Sequence, residues 1–429
     1  MPRTSSHRRG GSTPLCQALS RKAMGAGALA MGVALLASSC AGGDTVSMGP
    51  SGSPSASPAF TPGQIAKIDS AAEATLDDQI SGVVVSVSDP ERGTILKAYG
   101  DAQRGGSPMT PDVHYRVASV TKTFTAHAVL QLVDQGELSL QDPIEEYVPG
   151  LPNGERITIR DLLGMRGGVY DYVNDPAFID QYAKDPLWPG WKVEDAVDIM
   201  KAHADEFRTP DTKTVYSNSE YVLLGLVVEK VTGQPVDTYI NNTAGDLGLK
   251  ETTFPTTRTS LPSPYANGYW YYPPKGTPPK PSCTTDTPSP GATGASLPRC
   301  GRDVTRSNPL VPWTAGAVVS TVPDMTEYAA QLATGVGLKP RTAKLRQDWT
   351  SLSNEGIRLQ YGLGVMRVGD WVGHDGAIFG YSDMVFYLPS KKATVVVMTN
   401  ASDAEAVTST PLWGEIVKEL YPGSLPTAG

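Results

Sequence analysis

Ser119 and Lys122 are the residues whose types and spacing best suit covalent chemistry. They belong to the run Ser119-Val120-Thr121-Lys122, between an alternating apolar segment and a long stretch of helical periodicity. A serine hydroxyl is a poor nucleophile near neutral pH unless a base lies within hydrogen-bond reach. Side chains three positions apart share one face of a helix, so Lys122 is placed to take the proton of Ser119. The pair indicates Ser-x-x-Lys acyl-transfer chemistry, although four residues alone carry little specificity.

Hydrophobic periodicity predicts the elements that must position this pair. A helix is expected after Thr61, then a hairpin with strands at 83–87 and 94–99. Further helical patterns cover 119–136, 159–163, 193–203, 221–231 and 412–420, and further strand patterns cover 371–372, 384–388 and 393–399. Because strands at both ends of the chain surround a mainly helical middle, we predict an α+β fold. It consists of an antiparallel sheet flanked by helices, with an inserted all-helical lobe.

Composition divides the chain into three parts. Of its 429 residues, 40% are apolar, which is enough to bury a large core. We predict a signal peptide at 1–39, a Gly/Ser/Pro-rich tether at 40–60 and a single hydrolase domain at 61–425. Within that domain the helical lobe covers about 119–265, and a Pro/Ser/Thr-rich insertion covers 272–308.

The N-terminal segment predicts export. Residues 1–39 contain five basic residues and no acid, followed by an apolar run at 24–37 that is short for a membrane span. The run leads into Ser38-Ser39-Cys40-Ala41, which resembles the lipobox of bacterial lipoproteins, although Ala37 stands where that motif usually has leucine. Two outcomes follow. Either Cys40 is acylated and anchors the protein at the extracytoplasmic face of the membrane, or the protein is secreted.

Charge and side-chain inventory exclude several classes of partner. The formal net charge is -8 and becomes more negative when the basic leader is removed, so nucleic acid is not expected to bind. Cys283 and Cys300 lie in the insertion of an exported protein and are predicted to form a disulfide, the alternative being two unpaired thiols. No metal site or cofactor is expected, because no ligand cluster accompanies the scattered histidines His7, His114, His127, His203 and His374.

Three clusters, in this order, resemble the serine penicillin-recognising hydrolases. The resemblance is specifically to the branch that contains class C β-lactamases, Streptomyces-type D-Ala-D-Ala carboxypeptidases and related esterases. The clusters are residues 116–126 around Ser119, then Tyr216-Ser217-Asn218, then Gly373-His374-Asp375-Gly376-Ala377. The resemblance extends over roughly residues 63–425 and implies the β-lactamase/transpeptidase-like fold. Tyr-x-Asn also occurs at Tyr172 and Tyr239, but the strongly apolar helix that follows Tyr216 selects the latter.

The resemblance implies a role for each matching residue. Ser119 would be the nucleophile, with Lys122 as its base or as the cation that keeps Tyr216 a phenolate. Tyr216 would shuttle the proton to the leaving group and activate the incoming water. Asn218 would fix Lys122 and bind the substrate amide.

The third cluster is expected to complete the site. The backbone N–H groups of Ser119 and Ala377 would form the oxyanion hole, with Gly376 beside them. His374 replaces a lysine found in many relatives and would tune Tyr216 or face the substrate carboxylate, rather than act as a triad base. Asp375 stands where relatives carry Thr or Ser and would repel a substrate carboxylate unless it is paired. Arg367 would neutralise it or bind that carboxylate, the alternative being an ordinary exposed arginine.

These expectations converge on an exported serine hydrolase that forms an acyl-enzyme at Ser119. The substrate is expected to be a small molecule or a peptide, first of all the D-Ala-D-Ala end of a peptidoglycan stem peptide. One alternative keeps the mechanism in a β-lactamase-like or esterase-like hydrolase, which Asp375 favours. Another is a penicillin-binding envelope protein with negligible turnover.

Overall fold

A computed structural model describes residues 59–77, 79–271, 301–352, 359–403 and 407–426. The predictions on the signal peptide at 1–39, on Cys40 and on the Cys283–Cys300 disulfide lie outside these residues. Nearly all of the tether and residues 272–300 of the insertion lie outside them as well.

An antiparallel sheet forms the centre of the fold. The strands of the described residues are β1 (Gly82–Asp89), β2 (Gly93–Gly100), β3 (Tyr115–Arg116), β4 (Tyr269–Tyr271), β5 (Arg302–Asp303), β6 (Val319–Ser320), β7 (Thr350–Ser351), β8 (Leu359–Tyr361), β9 (Met366–Val368), β10 (Trp371–Ile378), β11 (Tyr381–Leu388), β12 (Ala393–Thr399) and β13 (Ala401–Asp403). Eight of them form the main sheet in the order β2-β1-β12-β11-β10-β9-β8-β7. Smaller sheets join β13-β4-β5 and β3-β6.

Within the main sheet, the N-terminal strand β1 and the C-terminal strand β12 lie side by side, next to the β2 edge. β1 pairs antiparallel with β12, with Val85 opposite Val397, and both strands are almost wholly buried. Runs of β-branched residues suit this position because their side chains pack well on both faces of a pleated sheet. The predicted hairpin at 83–99 is present as β1 and β2, and the turn at 389–392 joins β11 to β12.

Helices cover both faces of the sheet. They are α1 (Pro62–Thr75), α2 (Thr121–Gln135), α3 (Ile159–Leu163), α4 (Pro176–Lys184), α5 (Val193–Ala202), α6 (Asn218–Thr232), α7 (Val236–Asp246), α8 (Val322–Thr334), α9 (Pro340–Arg346) and α10 (Thr410–Leu420). On one face α10 packs Trp413 against Trp371 of β10, with ring centroids 5.5 Å apart, and α1 lies beside α10. On the other face α8 contacts the central strands and stacks Tyr328 on Phe124 of α2.

The chain turns sharply where β3 leads into α2. Ala118 has a left-handed φ of 46°, and residues Ala118–Val120 form a single 3-10 turn before the α-helix begins at Thr121. The sequence pattern predicted an α-helix from Ser119 onward, so this start is two residues too early. The backbone N–H of Val117 bonds to the Val318 carbonyl at 3.0 Å, which holds the strand in place up to the turn. Ser119 therefore stands on a fixed corner rather than within a regular helix.

The predicted fold class is confirmed, since α2 to α7 form a helical lobe inserted between the first hairpin and the remaining strands of the main sheet. None of the helices in the described part of the chain has the length and apolar composition needed to cross a membrane.

Candidate active site

Lys122 is completely buried beside Ser119. Its Nζ atom lies 3.0 Å from Ser119 Oγ, 2.8 Å from Asn218 Oδ1 and 2.8 Å from the Ala315 carbonyl oxygen. An amine with three oxygen acceptors has its direction fixed, because an ammonium group carries three N–H donors. One of the three acceptors is the hydroxyl of Ser119, so Lys122 is placed to exchange a proton with it.

Tyr216 lies beside the amine of Lys122. It is half-buried at the residue that precedes α6 by two positions, and its ring centroid lies 4.9 Å from the Nζ atom of Lys122. The ring stands edge-on to Tyr361 at 6.1 Å and lies 6.3 Å from the ring of His374. The fold thus brings together a hydroxyl and an amine from one segment of the chain, a phenol from a second segment and an imidazole from a third.

His374 lies fully buried on β10 and faces tyrosines. Its Nε2 atom is 3.2 Å from the Tyr361 hydroxyl, which in turn lies 3.4 Å from the Tyr221 hydroxyl, and its Nδ1 atom is 2.5 Å from the Asp375 carbonyl oxygen. Both ring nitrogens thus have partners other than Ser119, and the expectation that His374 is not a triad base stays a prediction.

Tyr361 is a site residue that sequence reasoning missed. Burial raises the pKa of its phenol well above the ordinary value, and the neighbouring Tyr221 and Tyr216 act in the same direction. The phenol is therefore neutral near pH 7 and keeps its hydrogen bonds to His374 and Tyr221. Its only sequence signal was the Tyr-Gly-Leu-Gly run, which does not disclose a contact thirteen residues away.

Asp171 is a second residue that sequence reasoning missed. Its Oδ2 atom accepts a hydrogen bond of 3.0 Å from Asn218 Nδ2. Burial raises the pKa of this carboxyl, while the bonds from Asn218 and the charge of Lys122 oppose that rise. A carboxylate thus lies behind the amide that contacts Lys122.

The edge of β10 faces the serine turn. β9 pairs with β10 only over Trp371–Gly373, so among the described residues the stretch from His374 to Ile378 has no strand partner on that side and contacts the turn of Ser119. At Gly376 the backbone approaches so closely that an added Cβ would lie 3.0 Å from the Cβ of Ala118. Ala377 follows as an exposed residue of this edge, where the sequence prediction places an oxyanion donor.

Asp375 and Arg367 do not form the ion pair that was considered from the sequence. The Asp375 carboxylate lies 3.4 Å from His374 Nδ1 and has 20% of its side chain exposed. Arg367 donates from Nε to the Gly369 carbonyl oxygen at 3.0 Å, which directs its guanidinium to the turn between β9 and β10. Among the described residues, Asp375 forms no ion pair with a lysine or arginine.

Among the described residues, no group of three or more His, Cys, Asp or Glu side chains is placed to hold a metal ion. The side chains that the site brings together are a serine hydroxyl, an amine beside it and a half-buried phenol.

Comparison with known proteins places the chain in a family. The family model described as Beta-lactamase matches residues 68–417. The chain belongs to the beta-lactamase family. This family includes serine hydrolases and penicillin-binding proteins, so the predicted superfamily is confirmed. The match spans the three clusters around Ser119, Tyr216 and His374.

Relatives within this family carry names of amide-cleaving enzymes. The chain is 32% identical over 176 residues to a protein of Escherichia coli (strain K12) named putative D-alanyl-D-alanine carboxypeptidase. The match covers 37% of this chain and 39% of that relative, so the chain spans about two fifths of its length. A D-stereospecific amidohydrolase from Streptomyces sp. is similar in structure, with TM-score 0.68, 28% identity and coverage of 83% of this chain and 98% of that one.

A D-amino acid amidase from Ochrobactrum anthropi SV3, solved with L-phenylalanine amide, is also similar in structure. Its TM-score is 0.67 at 24% identity, and the match covers 83% of this chain and 98% of that one. At that identity the likeness shows the fold alone.

Proposed function

We propose that this chain is a serine hydrolase that forms an acyl-enzyme at Ser119 and cleaves amide bonds that follow a D-amino acid. Its first expected substrate is the D-Ala-D-Ala end of a peptidoglycan stem peptide. The observation that carries the proposal is the 3.0 Å contact between Lys122 Nζ and Ser119 Oγ. The preference for D-residues rests on the names of the Escherichia coli relative and of the Streptomyces sp. neighbour.

The reaction would proceed in two halves. Lys122 accepts the proton of Ser119 as its oxygen attacks the carbonyl carbon, and the backbone N–H groups of Ser119 and Ala377 receive the oxyanion. The C–N bond then breaks, and the leaving amine takes a proton delivered through Tyr216. In the second half water attacks the ester carbonyl at Ser119, and its proton passes through Tyr216 to Lys122, which has given its own proton to the leaving amine. The bond to the Ser119 oxygen then breaks, the acid leaves, and Lys122 returns the proton to the serine oxygen.

A second candidate function is hydrolysis of D-amino acid amides. It is favoured by Asp375, whose carboxylate lacks a lysine or arginine partner among the described residues and would repel the terminal carboxylate of a peptide. An amide substrate releases ammonia and presents no carboxylate at this place.

Four substrates separate the candidates. D-Alanine release from a D-Ala-D-Ala peptide supports the carboxypeptidase, and ammonia release from D-alaninamide supports the amidase. Hydrolysis of nitrocefin alone supports a β-lactamase, and turnover of p-nitrophenyl esters alone supports an esterase. Lasting penicilloyl labelling without turnover supports the penicillin-binding alternative. Ser119→Ala should abolish each activity and the acyl adduct seen by intact mass, and activity that survives this substitution would exclude Ser119 as the nucleophile.

We also propose that the protein is exported and anchored by lipid at Cys40, with a disulfide between Cys283 and Cys300. The support is the basic and apolar leader and the lipobox-like run at its end. Intact mass of the membrane fraction should reveal a diacylglyceryl adduct that Cys40→Ser removes. Recovery of the unmodified protein from the medium would favour secretion, and reactivity of both thiols with iodoacetamide in the exported protein would exclude the disulfide.

A further inference from the structure

Four side chains form a continuous chain of hydrogen bonds from the carboxyl group of Asp171 to the hydroxyl group of Ser119. Asp171 Oδ2 lies 3.0 Å from Asn218 Nδ2, and Asn218 Oδ1 lies 2.8 Å from Lys122 Nζ, which lies 3.0 Å from Ser119 Oγ. Asp171 is farthest from the reacting serine and contacts it only through the two residues between.

The order of atoms in this chain of hydrogen bonds depends on the acid. A carboxamide has a donor end and an acceptor end of almost equal size, and an ionised carboxylate can only accept. Asp171 therefore takes the NH2 end of Asn218 and leaves the carbonyl oxygen for Lys122. Without this acceptor the amide could rotate and present its N–H groups to the amine of Lys122, where donor would meet donor.

Hydrogen bonds on both sides of the Asp171–Asn218 contact join the loop of Asp171 to the start of α6. Ser217 Oγ donates to the Val169 carbonyl at 3.2 Å, and Ser219 Oγ accepts from the Tyr172 backbone N–H at 3.0 Å. These bonds lie on either side of Asn218 and on either side of Asp171. The distance between the acid and the amide is thus fixed by two flanking hydrogen bonds between serine side chains and the backbone.

Glu220 adds a third hydrogen bond to the same loop. Its buried carboxyl accepts from the Val169 backbone N–H at 3.4 Å, and an added Cβ on Gly167 would lie 3.1 Å from its Oε1 atom. The loop that carries Asp171 is therefore packed closely on α6, and the side chain of Asp171 has a defined place behind the site.

We propose that Asp171 is a positioning residue that orients the Asn218 amide and so keeps the amine of Lys122 directed at Ser119. The inference rests on the proposed function at Ser119. Asp171 contacts neither substrate nor the reacting atoms, and its effect passes through Asn218. It is expected to influence the rate of acylation much more than substrate affinity.

The test compares Asp171→Leu, Asp171→Asn and the matched control Asp185→Asn, an aspartate of the same lobe that caps a turn at Leu187. Asp171→Leu removes the acceptor and should lower kcat by about 10- to 100-fold, as expected for misplaced catalytic groups, with KM within about 2-fold. Asp171→Asn retains one acceptor oxygen and should be intermediate. Thermal unfolding of each variant checks that it is folded, and Asp171→Asn carries the test if Asp171→Leu does not fold.

A double-mutant cycle tests whether the effect passes through Asn218. In an Asn218→Ala background, Asp171→Leu should lower kcat by less than about 2-fold further, because the intermediate amide is already gone. Full additivity of the two losses, or unchanged kcat in folded Asp171→Leu, overturns the inference.

Labelling of Ser119 by a fluorophosphonate, followed by mass spectrometry, separates this inference from the proposed function. The probe needs an activated serine but no natural substrate. Slower labelling in Asp171→Leu than in wild type supports the positioning role even if the enzyme hydrolyses none of the amide substrates. Equal labelling rates overturn it even if the carboxypeptidase activity is present, and a wild-type Ser119 that is never labelled overturns both.

Discussion

An added Cβ on Gly376 would lie 2.7 Å from the carbonyl oxygen of Val117, so β10 packs its backbone directly on the corner that carries Ser119. The same added atom would also meet the buried carboxyl of Asp383 on β11. Because the neighbouring atoms are a main-chain oxygen and a fully buried side chain, the strand has little freedom to move aside.

Gly376→Ala should therefore separate the edge of β10 from the serine turn. We expect kcat/KM to fall by about 100-fold or more, the cost of losing one oxyanion donor, together with a lower Tm. Gly414→Ala is the matched control, since an added Cβ there meets nothing within 4 Å. Unchanged kcat/KM in Gly376→Ala would indicate that β10 does not contribute to the oxyanion site.

Sequence patterns predicted well what depends on local periodicity. The β1–β2 hairpin, α6 and α10 follow from the spacing of apolar residues. Lys122 also contacts Ser119 as predicted, although Ser119 lies in a 3-10 turn and not in the α-helix. α8 was missed, although Thr321 and Pro323 signal a helix start and Met325, Tyr328 and Leu332 recur at helical period.

Contacts between distant segments could not be predicted in the same way. Tyr361 and Asp171 meet their partners because sheet register and the loop before α4 bring them together, and neither register nor loop path is encoded in a short window. Arg367 illustrates the reverse case. Its sequence position beside β10 suggested that it pairs with Asp375, but its guanidinium donates to the carbonyl oxygen of Gly369 in the turn between β9 and β10.

Lys122→Met should nearly abolish acylation. The thioether cannot accept or donate a proton, so kcat should fall by about 100- to 10,000-fold, the range that general base catalysis contributes. The substitution also leaves Asn218 Oδ1 and the Ala315 carbonyl oxygen without their buried donor, which should lower the free energy of unfolding by about 1–3 kcal/mol. Stopped-flow acylation by a chromogenic ester measures the first effect and urea unfolding the second. Lys230→Met, at an exposed lysine, is the control.

Asp375→Thr should shift preference toward substrates that end in a carboxylate. Removing a charge near the site relieves a repulsion of about 1 kcal/mol at 4 Å in water, so kcat/KM for a D-Ala-D-Ala peptide should rise about 5- to 10-fold relative to D-alaninamide. Asp370→Thr, an exposed acid just before β10, should leave this ratio unchanged. If Asp375→Thr changes both substrates by the same factor, Asp375 does not select the leaving group.

His203 should make the stability of the helical lobe depend on pH. Burial lowers the pKa of His203, but the hydrogen bonds to Asp175 and Glu206 together outweigh burial and raise it overall. Burial raises the pKa of Asp175, but the bond to His203 and the backbone bonds from Phe178 and Ala177 together outweigh burial and lower it. The imidazolium therefore stabilises the fold below the unfolded pKa of about 6.5, and this contribution is lost as pH rises through the folded value. The Asp175 contribution is present above about 3.9 and is lost on acidification through its lowered pKa.

The Asp175–His203 pair, with Nε2 and Oδ2 3.0 Å apart, should thus stabilise the fold most near pH 5.5. A double-mutant cycle with His203→Gln and Asp175→Asn should give a coupling of about 0.5–1 kcal/mol in the free energy of unfolding at pH 5.5 and almost none at pH 9. His203→Gln also removes the stacking of His203 on the Tyr170 ring, whose centroid lies 3.9 Å away. This effect cancels in the cycle because it occurs in both variants that carry His203→Gln. Urea unfolding at the two pH values measures the coupling, and an equal value at both would mean that His203 does not change charge between them.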